Sequence, residues 1–388
     1  MRSSRIVAAR RCVKRSAWLD TLEGEMNPSD HDPLSPSEHG GNAANETPNL
    51  PSSDPCFTLS DIFFGSDGLR ALWGILLFLV LRDVLFDGIA PLITAHFPGL
   101  SGAAAFSRPR WLIAYEGLGL LSVAITTWIM AKIEHRPASF YGLGGKRRLP
   151  NFLSGLVWGV ALLSLLVFTL RACGLLVFDA RQLFGASALR YGAIWFAGFL
   201  ILGLFEEYLF RGYLQFTLAR VIGGIVDWIR TRYSPVQGAP SIDANALGFW
   251  TAALLLSFGF GFVHGTNPGE SPIGLLAAGL VSVVFCLSLW RTGSLWWAIG
   301  FHTAWDWAQS FLYGTADSGL VIQGHLFATH PVGRALLSGG LTGPEGSLFI
   351  LPIVALTAAV IVLTLPRVHP NDPPASADAR SAAGLDLS

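Results

Sequence analysis

The chain has 388 residues, of which 52% are hydrophobic and only 13% charged, and its mean hydropathy is +0.49. Soluble globular proteins carry about 25% charged residues, so the composition excludes an ordinary soluble domain and predicts an all-α, polytopic membrane protein. The formal net charge is zero, which gives no bulk electrostatic reason to expect a nucleic-acid partner.

Both ends of the chain are polar. Residues 1–68 are predicted to be a disordered cytoplasmic tail, because the segment 27–55 is rich in Ser, Pro, Asp, Asn and Gly and cannot bury a core. The basic start of this tail lacks the apolar stretch that a secretory signal needs. Residues 367–388 are predicted to be a second disordered tail, so the transmembrane domain is predicted to cover residues 69–366.

Eight apolar segments have the length of about 20 residues that a bilayer crossing requires. They are 70–90, 111–132, 152–170, 191–218, 246–264, 273–290, 294–313 and 347–365. The sequence therefore predicts a bundle of about eight spans, with an internal polar cavity that holds the ionisable residues described below.

The positions of Lys and Arg predict how this bundle is oriented. With a cytoplasmic N-terminus, eighteen Lys and Arg residues fall on the cytoplasmic side and six on the other, while Arg82 and Arg211 lie inside spans. Because cytoplasmic loops are enriched in Lys and Arg, both termini are predicted to be cytoplasmic.

The fourth predicted span contains Glu206, Glu207 and Arg211 within six residues. One ionised side chain at the centre of a span costs roughly 2.5–3.5 kcal/mol on insertion scales, and such residues are functional by default. On a helix Glu207 and Arg211 are four residues apart and can pair, which leaves Glu206 free to act as a general base. The alternative is that all three charges form a buried network that only holds helices together.

Two later spans add further polar groups. His264 ends the fifth span, and His302 and Asp306 share one helix face in the seventh. At a rise of about 1.5 Å per residue, His264 lies roughly 20 Å and His302 roughly 12 Å from the cytoplasmic start of its span. A shared site therefore requires either that a span boundary is wrong or that a helix is tilted or broken, which the glycines near His264 allow.

In this order, Glu206-Glu207-x-x-x-Arg211, Phe260-x-x-x-His264 and His302-x-x-x-Asp306 resemble the three motifs of the CPBP intramembrane proteases. That family includes the CAAX prenyl endopeptidases and the bacteriocin-processing and immunity relatives called Abi proteins. The resemblance covers roughly residues 110–365. It implies an eight-helix bundle, a conical cavity open to the cytoplasm, and endopeptidase activity through a glutamate-activated water.

The resemblance also implies a role for each motif residue. Glu206 would be the base, and His264 would position or activate the water. His302 and Asp306 would stabilise the oxyanion or the site around it, while Glu207 and Arg211 would support them. The family's last motif often ends in Asn, and an ionised Asp306 cannot donate a hydrogen bond to an oxyanion. Asp306 would therefore have to be protonated or would instead orient His302.

The expected cofactor and partners follow from the same residues. No metal is expected to be required, and the alternative is zinc held by Glu206, His264 and His302. The expected partners are a peptide or protein substrate at the membrane and the lipid bilayer, with no nucleic acid. The use of 23 Arg against 3 Lys, with abundant Ala and Gly, suggests a GC-rich bacterium and hence the bacterial inner membrane.

Two other functions compete with a protease. A non-catalytic scaffold or bacteriocin-immunity protein would use the same cavity only for binding, although binding alone does not need a free glutamate and two histidines. A proton-coupled transporter would titrate its buried carboxylates, but the sequence has no internal repeat of the kind that many such folds contain.

Overall fold

A computed structural model describes residues 64–65, 68–96, 103–233 and 243–367. Most of the two predicted tails lies outside these residues. Nine α-helices longer than four residues occur in the described part: α1 Ala71–His96, α2 Pro109–Ile133, α3 Arg148–Ala172, α4 Gly185–Glu207, α5 Gln215–Tyr233, α6 Ala244–Val263, α7 Pro272–Thr292, α8 Trp296–Asp306 and α9 Ile350–Thr364. The predicted all-α fold is confirmed.

The remaining elements are short. Two π-helical segments, Tyr208–Leu214 and Trp307–Leu312, directly follow α4 and α8. Four-residue helices lie at Ala103–Phe106 and Ala335–Ser338, and 3₁₀ turns lie at Ala138–Phe140, His264–Thr266 and Pro344–Gly346. The strands are β1 Phe64–Gly65, β2 Gly68–Leu69, β3 Leu176–Arg181 and β4 Phe327–Pro331.

Five helical runs of the described chain are long and apolar enough to cross a membrane: Pro109–Ile133, Arg148–Ala172, Gly185–Tyr233, Ala244–Thr266 and Pro272–Thr292. The other three predicted spans also coincide with helices, but α1 carries several charges, and α8 and α9 are shorter. The fourth span differs from its prediction, because the helix continues through the π segment and α5 as one run of 49 residues.

Small residues hold α8 in place against α3. A Cβ atom added to Gly155 or Gly159 would collide with the backbone of α8, and one added to Gly300 would collide with the backbone of α3 at Phe152. Such small residues let two helix backbones approach closely. Buried apolar side chains on α3, α7, α8 and α9, including Leu166 and Ile361, pack around this contact. The helix that carries His302 and Asp306 is therefore held by close contact of its backbone with the backbone of α3.

Connections at one end of the bundle meet around Glu134, and we call this end the Glu134 face. The Glu134 carboxylate accepts hydrogen bonds from Tyr213, Tyr141 and Arg220 at 2.7, 3.1 and 2.6 Å. The connection between α7 and α8 joins the same face, because the Trp296 indole N–H donates to the Leu143 carbonyl. This face therefore gathers the end of α2 and the starts of α3 and α8.

Connections at the opposite end form what we call the sheet face. Strands β3 and β4 pair antiparallel there, with Leu176 opposite Pro331 and Arg181 opposite Phe327. The Thr342 hydroxyl donates to the Gly269 carbonyl, and this bond ties the α6–α7 connection to the chain that follows β4. The sheet was not predicted from the sequence, since its two strands lie far apart along the chain.

Candidate active site

A cavity of about 490 Å³ opens among α2, α4, α6, α7 and α8. Four of the six predicted site residues line it: Glu206, His264, His302 and Asp306. Glu207 and Arg211 are outside its lining and are fully buried. The structure therefore brings the three motifs together and separates the two adjacent glutamates into different environments.

A change of helix type separates Glu206 from the residues that follow. Helix α4 ends at Glu207, and the next turn is π-helical with a kink at Gly212, whose ψ of −114° is not helical. The Glu206 side chain is 20% exposed while that of Glu207 is completely buried. Single π-helical turns inside α-helices often occur at functional sites, and α8 likewise becomes π-helical directly after Asp306.

The predicted pair of Glu207 and Arg211 is present. Arg211 Nη1 donates to Glu207 Oε1 over 3.0 Å, and the guanidinium carbon lies 4.3 Å from the centre of the Phe260 ring. An aromatic face stabilises a cation where water is absent. Phe260, the first residue of the second motif, therefore packs against this buried pair and also lines the cavity.

His302 connects the buried pair to the cavity. Its Nδ1 lies 3.0 Å from Glu207 Oε1 and donates to it, since a carboxylate oxygen can only accept. The other ring nitrogen, Nε2, lies 3.7 Å from Glu206 Oε2 and 3.5 Å from Asp306 Oδ2. Glu207 thus fixes the orientation of the imidazole so that Nε2 faces the two carboxylates in the cavity.

His264 lies at the end of α6, as the sequence predicts. Its Nδ1 donates to the Phe260 carbonyl over 2.7 Å, which leaves Nε2 for the cavity. The predicted difference in depth does not separate it from His302, because both residues line the same cavity. Helix α6 begins beside α5, where Gly248 packs on the backbone of Gly223, so the start of α6 was a poor reference for depth.

Several polar residues of the cavity wall were not predicted from the sequence. Glu116 on α2 is buried and lines the cavity, and the rule that singled out Glu206 applies to it equally, since it lies in a predicted span. Asp317 and Glu345 line the cavity from the connection between α8 and α9. Only the folded chain brings those two to the site, because they lie in segments without a motif.

The carboxyl group of Glu345 lies outside the helices, in the turn Pro344–Gly346. Burial, followed by the charges of Asp317 and Glu270, raises the pKa of Glu345 from 4.5 to about 8, while hydrogen bonds from Ser318 act in the opposite direction. Burial likewise raises the pKa of Asp317 well above its ordinary value. Both groups are therefore stabilised in their protonated forms.

A dependence of stability on pH follows from Glu345. Because its pKa is raised on folding, its contribution to stability is complete below pH 4.5 and is lost as the pH rises through about 8. We expect Glu345→Gln to flatten the fall in thermal stability between these pH values. Thermal unfolding of the detergent-solubilised protein measures this, with the exposed carboxylate variant Asp179→Asn as the control. If the thermal stability of Glu345→Gln falls with pH as steeply as that of wild type, this prediction is contradicted.

The zinc alternative stays a prediction. Among the described residues no group of three or more His, Cys, Asp or Glu side chains is arranged to hold a metal ion. His264 Nδ1 donates to a backbone carbonyl and His302 Nδ1 to Glu207, which leaves both Nε2 atoms available.

The comparison with protein families agrees with the arrangement of the three motifs. The family model described as Type II CAAX prenyl endopeptidase Rce1-like matches residues 188–308. This segment is therefore similar to the CAAX prenyl endopeptidases. It contains all six predicted site residues, and the predicted family is confirmed over it. No curated protein and no solved structure matches the chain.

The matched segment covers the core of the candidate site but not the whole cavity wall. It spans most of α4 through α8 and leaves out Glu116, Asp317 and Glu345. The five helices that are long and apolar enough to cross a bilayer support an integral membrane protein, and residues 188–308 of it are similar to the CAAX prenyl endopeptidases.

Proposed function

We propose that this protein is an intramembrane endopeptidase in which Glu206 activates a water molecule that hydrolyses a peptide bond. The observation that carries the proposal is the different surroundings of two adjacent glutamates. Glu207 is buried and held by Arg211 and His302, whereas Glu206 faces a cavity beside His302 and shares that cavity with His264. A free carboxylate next to two imidazoles suits general-base catalysis.

The reaction proceeds in two steps on this arrangement. Glu206 takes a proton from a water molecule that His264 Nε2 helps to position, and the water oxygen bonds to the carbonyl carbon of the substrate. In the second step the oxyanion re-forms the C=O bond, the C–N bond breaks, and Glu206 gives the proton to the leaving nitrogen. The products are a new carboxylic acid, which keeps the second proton of the water until it ionises, and a new amine, and Glu206 returns to its ionised form.

The tetrahedral oxyanion needs a hydrogen-bond donor that is already in place. Because His302 Nδ1 donates to Glu207, Nε2 carries a proton only when the ring is cationic. Three carboxylates within 3.7 Å of the ring favour the cation. We therefore assign the oxyanion contact to His302 Nε2 and the positioning of that ring to Asp306, which acts as an ionised acceptor.

We propose that this chemistry requires no metal ion. Metal chelators such as EDTA and 1,10-phenanthroline are then expected to leave the rate of substrate cleavage unchanged. The check is cleavage by purified protein before and after chelation, with a zinc metalloprotease treated in parallel as a control for chelation. Loss of cleavage that is restored by added Zn²⁺ would contradict a metal-independent mechanism.

Detection of new peptide ends separates the enzyme from a silent scaffold. Purified protein in liposomes is incubated with membrane proteins extracted from its host, and new α-amino groups are labelled and identified by mass spectrometry. The enzyme is expected to generate a reproducible set of new N-termini that Glu206→Gln does not generate. Identical sets from both proteins, each shown to be folded, would favour a scaffold or immunity protein that only binds in the cavity.

We further propose that the protein resides in a bacterial inner membrane with both termini in the cytoplasm. The excess of Arg over Lys and the distribution of basic residues support this location. The domain boundaries at residues 68 and 366 belong to the same proposal.

A further inference from the structure

Arg211 is held by few contacts for a buried cation. Its side chain is 1% exposed, and only its Nη1 atom has an oxygen partner among the described residues, Glu207 Oε1 at 3.0 Å. The Phe260 and Phe285 rings lie 4.3 and 5.6 Å from the guanidinium carbon, and they attract the cation without offering an oxygen acceptor. The place of the guanidinium is therefore set largely by the backbone turn that carries it.

A shift of Arg211 would reach the imidazole of His302 through a single atom. Glu207 Oε1 accepts from both Arg211 Nη1 and His302 Nδ1, each at 3.0 Å, while Glu207 Oε2 has no hydrogen-bond partner in the described part of the chain. The Glu207 side chain is completely buried, so bulk water cannot replace a lost donor. The direction in which His302 Nε2 faces Glu206 and Asp306 thus depends on where the turn holds Arg211.

The backbone beside Arg211 leaves the helical path. Gly212 has a non-helical ψ of −114°, inside the π-helical segment that joins α4 to α5. Before this kink, α4 is fixed by close packing, because a Cβ atom on Gly203 would lie 3.1 Å from the Thr303 hydroxyl of α8. The position of the turn therefore depends on what holds the chain after the kink.

Glu134 holds the chain directly after the kink. Its side chain is 2% exposed, and its Oε1 accepts from the Tyr213 hydroxyl over 2.7 Å while its Oε2 accepts from Arg220 Nη2 over 2.6 Å. Tyr213 is fully buried and stacks on Phe78 of α1, with the ring centres 4.5 Å apart. Because Tyr213 follows Arg211 by two residues, its hydrogen bond to Glu134 anchors the far side of the turn.

We propose that Tyr213 and Glu134 are positioning residues for peptide hydrolysis. Their hydrogen bond fixes the kinked turn, so that Arg211 holds Glu207 and Glu207 orients His302. Neither Tyr213 nor Glu134 lines the cavity, and they act on the chemical step without touching the substrate. This role rests on the proposed endopeptidase function.

Tyr141 provides a matched control in the same network. Its hydroxyl donates to Glu134 Oε2 over 3.1 Å, and its side chain is as fully buried as that of Tyr213. Tyr141 lies in the connection after α2 rather than in the turn, and Arg220 also donates to the oxygen that it contacts. A network that only stabilises the fold predicts equal effects of Tyr141→Phe and Tyr213→Phe on activity, whereas a positioning role predicts different ones.

Initial rates of cleavage separate these two roles. Each variant in liposomes is incubated with a dilution series of membrane proteins from the host, and the new N-termini that Glu206→Gln does not generate are quantified. We expect Tyr213→Phe to lower kcat by about 10–100-fold with KM unchanged, because a misplacement of about 1 Å can cost 10²-fold in rate. Tyr141→Phe is expected to keep the wild-type kcat, although thermal unfolding should show a similar loss of stability in both variants.

Equal kcat values for the two Phe variants, at the wild-type level or below it, overturn the positioning role. A second test uses Glu134→Met, which removes both acceptor oxygens. Adding Tyr213→Phe to it should lower kcat no further, and a further fall contradicts the link between the two residues. A wild-type set of new N-termini from folded Glu206→Gln contradicts the proposed function instead, so the two failures are distinguishable in one assay.

Discussion

Replacing Glu206 by Gln is expected to lower kcat for peptide cleavage by about 10²–10⁴-fold, because the amide cannot take a proton from water. The fold should be unaffected, since the Glu206 side chain is partly exposed and its nearest ionic partner, His302 Nε2, is 3.7 Å away. The measurement is single-substrate kinetics with purified protein, beside a thermal unfolding curve for each variant. The control for the charge change is Asp179→Asn, which removes an exposed carboxylate on β3.

Glu206→Asp sharpens this prediction. It keeps the carboxylate but withdraws it by one methylene, and a displacement of about 1 Å can cost roughly 10²-fold in rate. We expect activity between those of wild type and Glu206→Gln. Equal activities for Glu206→Asp and Glu206→Gln, both well below wild type, would mean that position rather than basicity dominates. Wild-type activity in folded Glu206→Gln would remove Glu206 from the mechanism.

Replacing Arg211 by Met is expected to destabilise the protein by about 3–5 kcal/mol, because it removes the guanidinium from the buried carboxylate of Glu207 and leaves only His302 beside it. Both side chains are at most 1% exposed. The double variant Glu207→Gln/Arg211→Met should lose less than the sum of the two single variants, since it removes both charges together. Unfolding in mixed micelles, titrated with denaturing detergent, measures the free energies of unfolding.

The exposed pair of Asp227 and Arg230 provides the matched control for this cycle. Its charged atoms are 3.1 Å apart, but both side chains are about half exposed, and such pairs contribute about 0–1 kcal/mol. Arg230→Met should therefore change the stability little. Additive effects of Glu207→Gln and Arg211→Met would show that the two charges do not depend on each other.

The chemistry of the site could be predicted because ionisable residues stand out in an apolar chain. Glu206, His264, His302 and Asp306 were all predicted as site residues, and all four line one cavity. The pairing of Glu207 with Arg211 followed from a helical spacing of four residues, and it is present although the turn is π-helical. Their catalytic roles stay predictions.

The long-range contacts could not be predicted in the same way. Strands β3 and β4 pair although helices α4 to α8 lie between them in the sequence. The backbone atoms that a Cβ atom on Gly300 would meet lie on α3, far away along the chain. No local pattern encodes such contacts. The same reason hid Asp317 and Glu345, which reach the cavity only through the folded connection between α8 and α9. Helix α5 was missed because it continues a span beyond the length that a bilayer requires.

The proposed hydrolysis by Glu206 is tested most directly by comparing the membrane peptides of cells that produce wild type with those of cells that produce Glu206→Gln at the same level. Mass spectrometry is expected to find peptides that end at a shared cleavage site in the first and the intact precursor in the second. The same cleaved peptides in equal amounts in both, with Glu206→Gln shown to be folded in the membrane, would contradict the proposed role of Glu206.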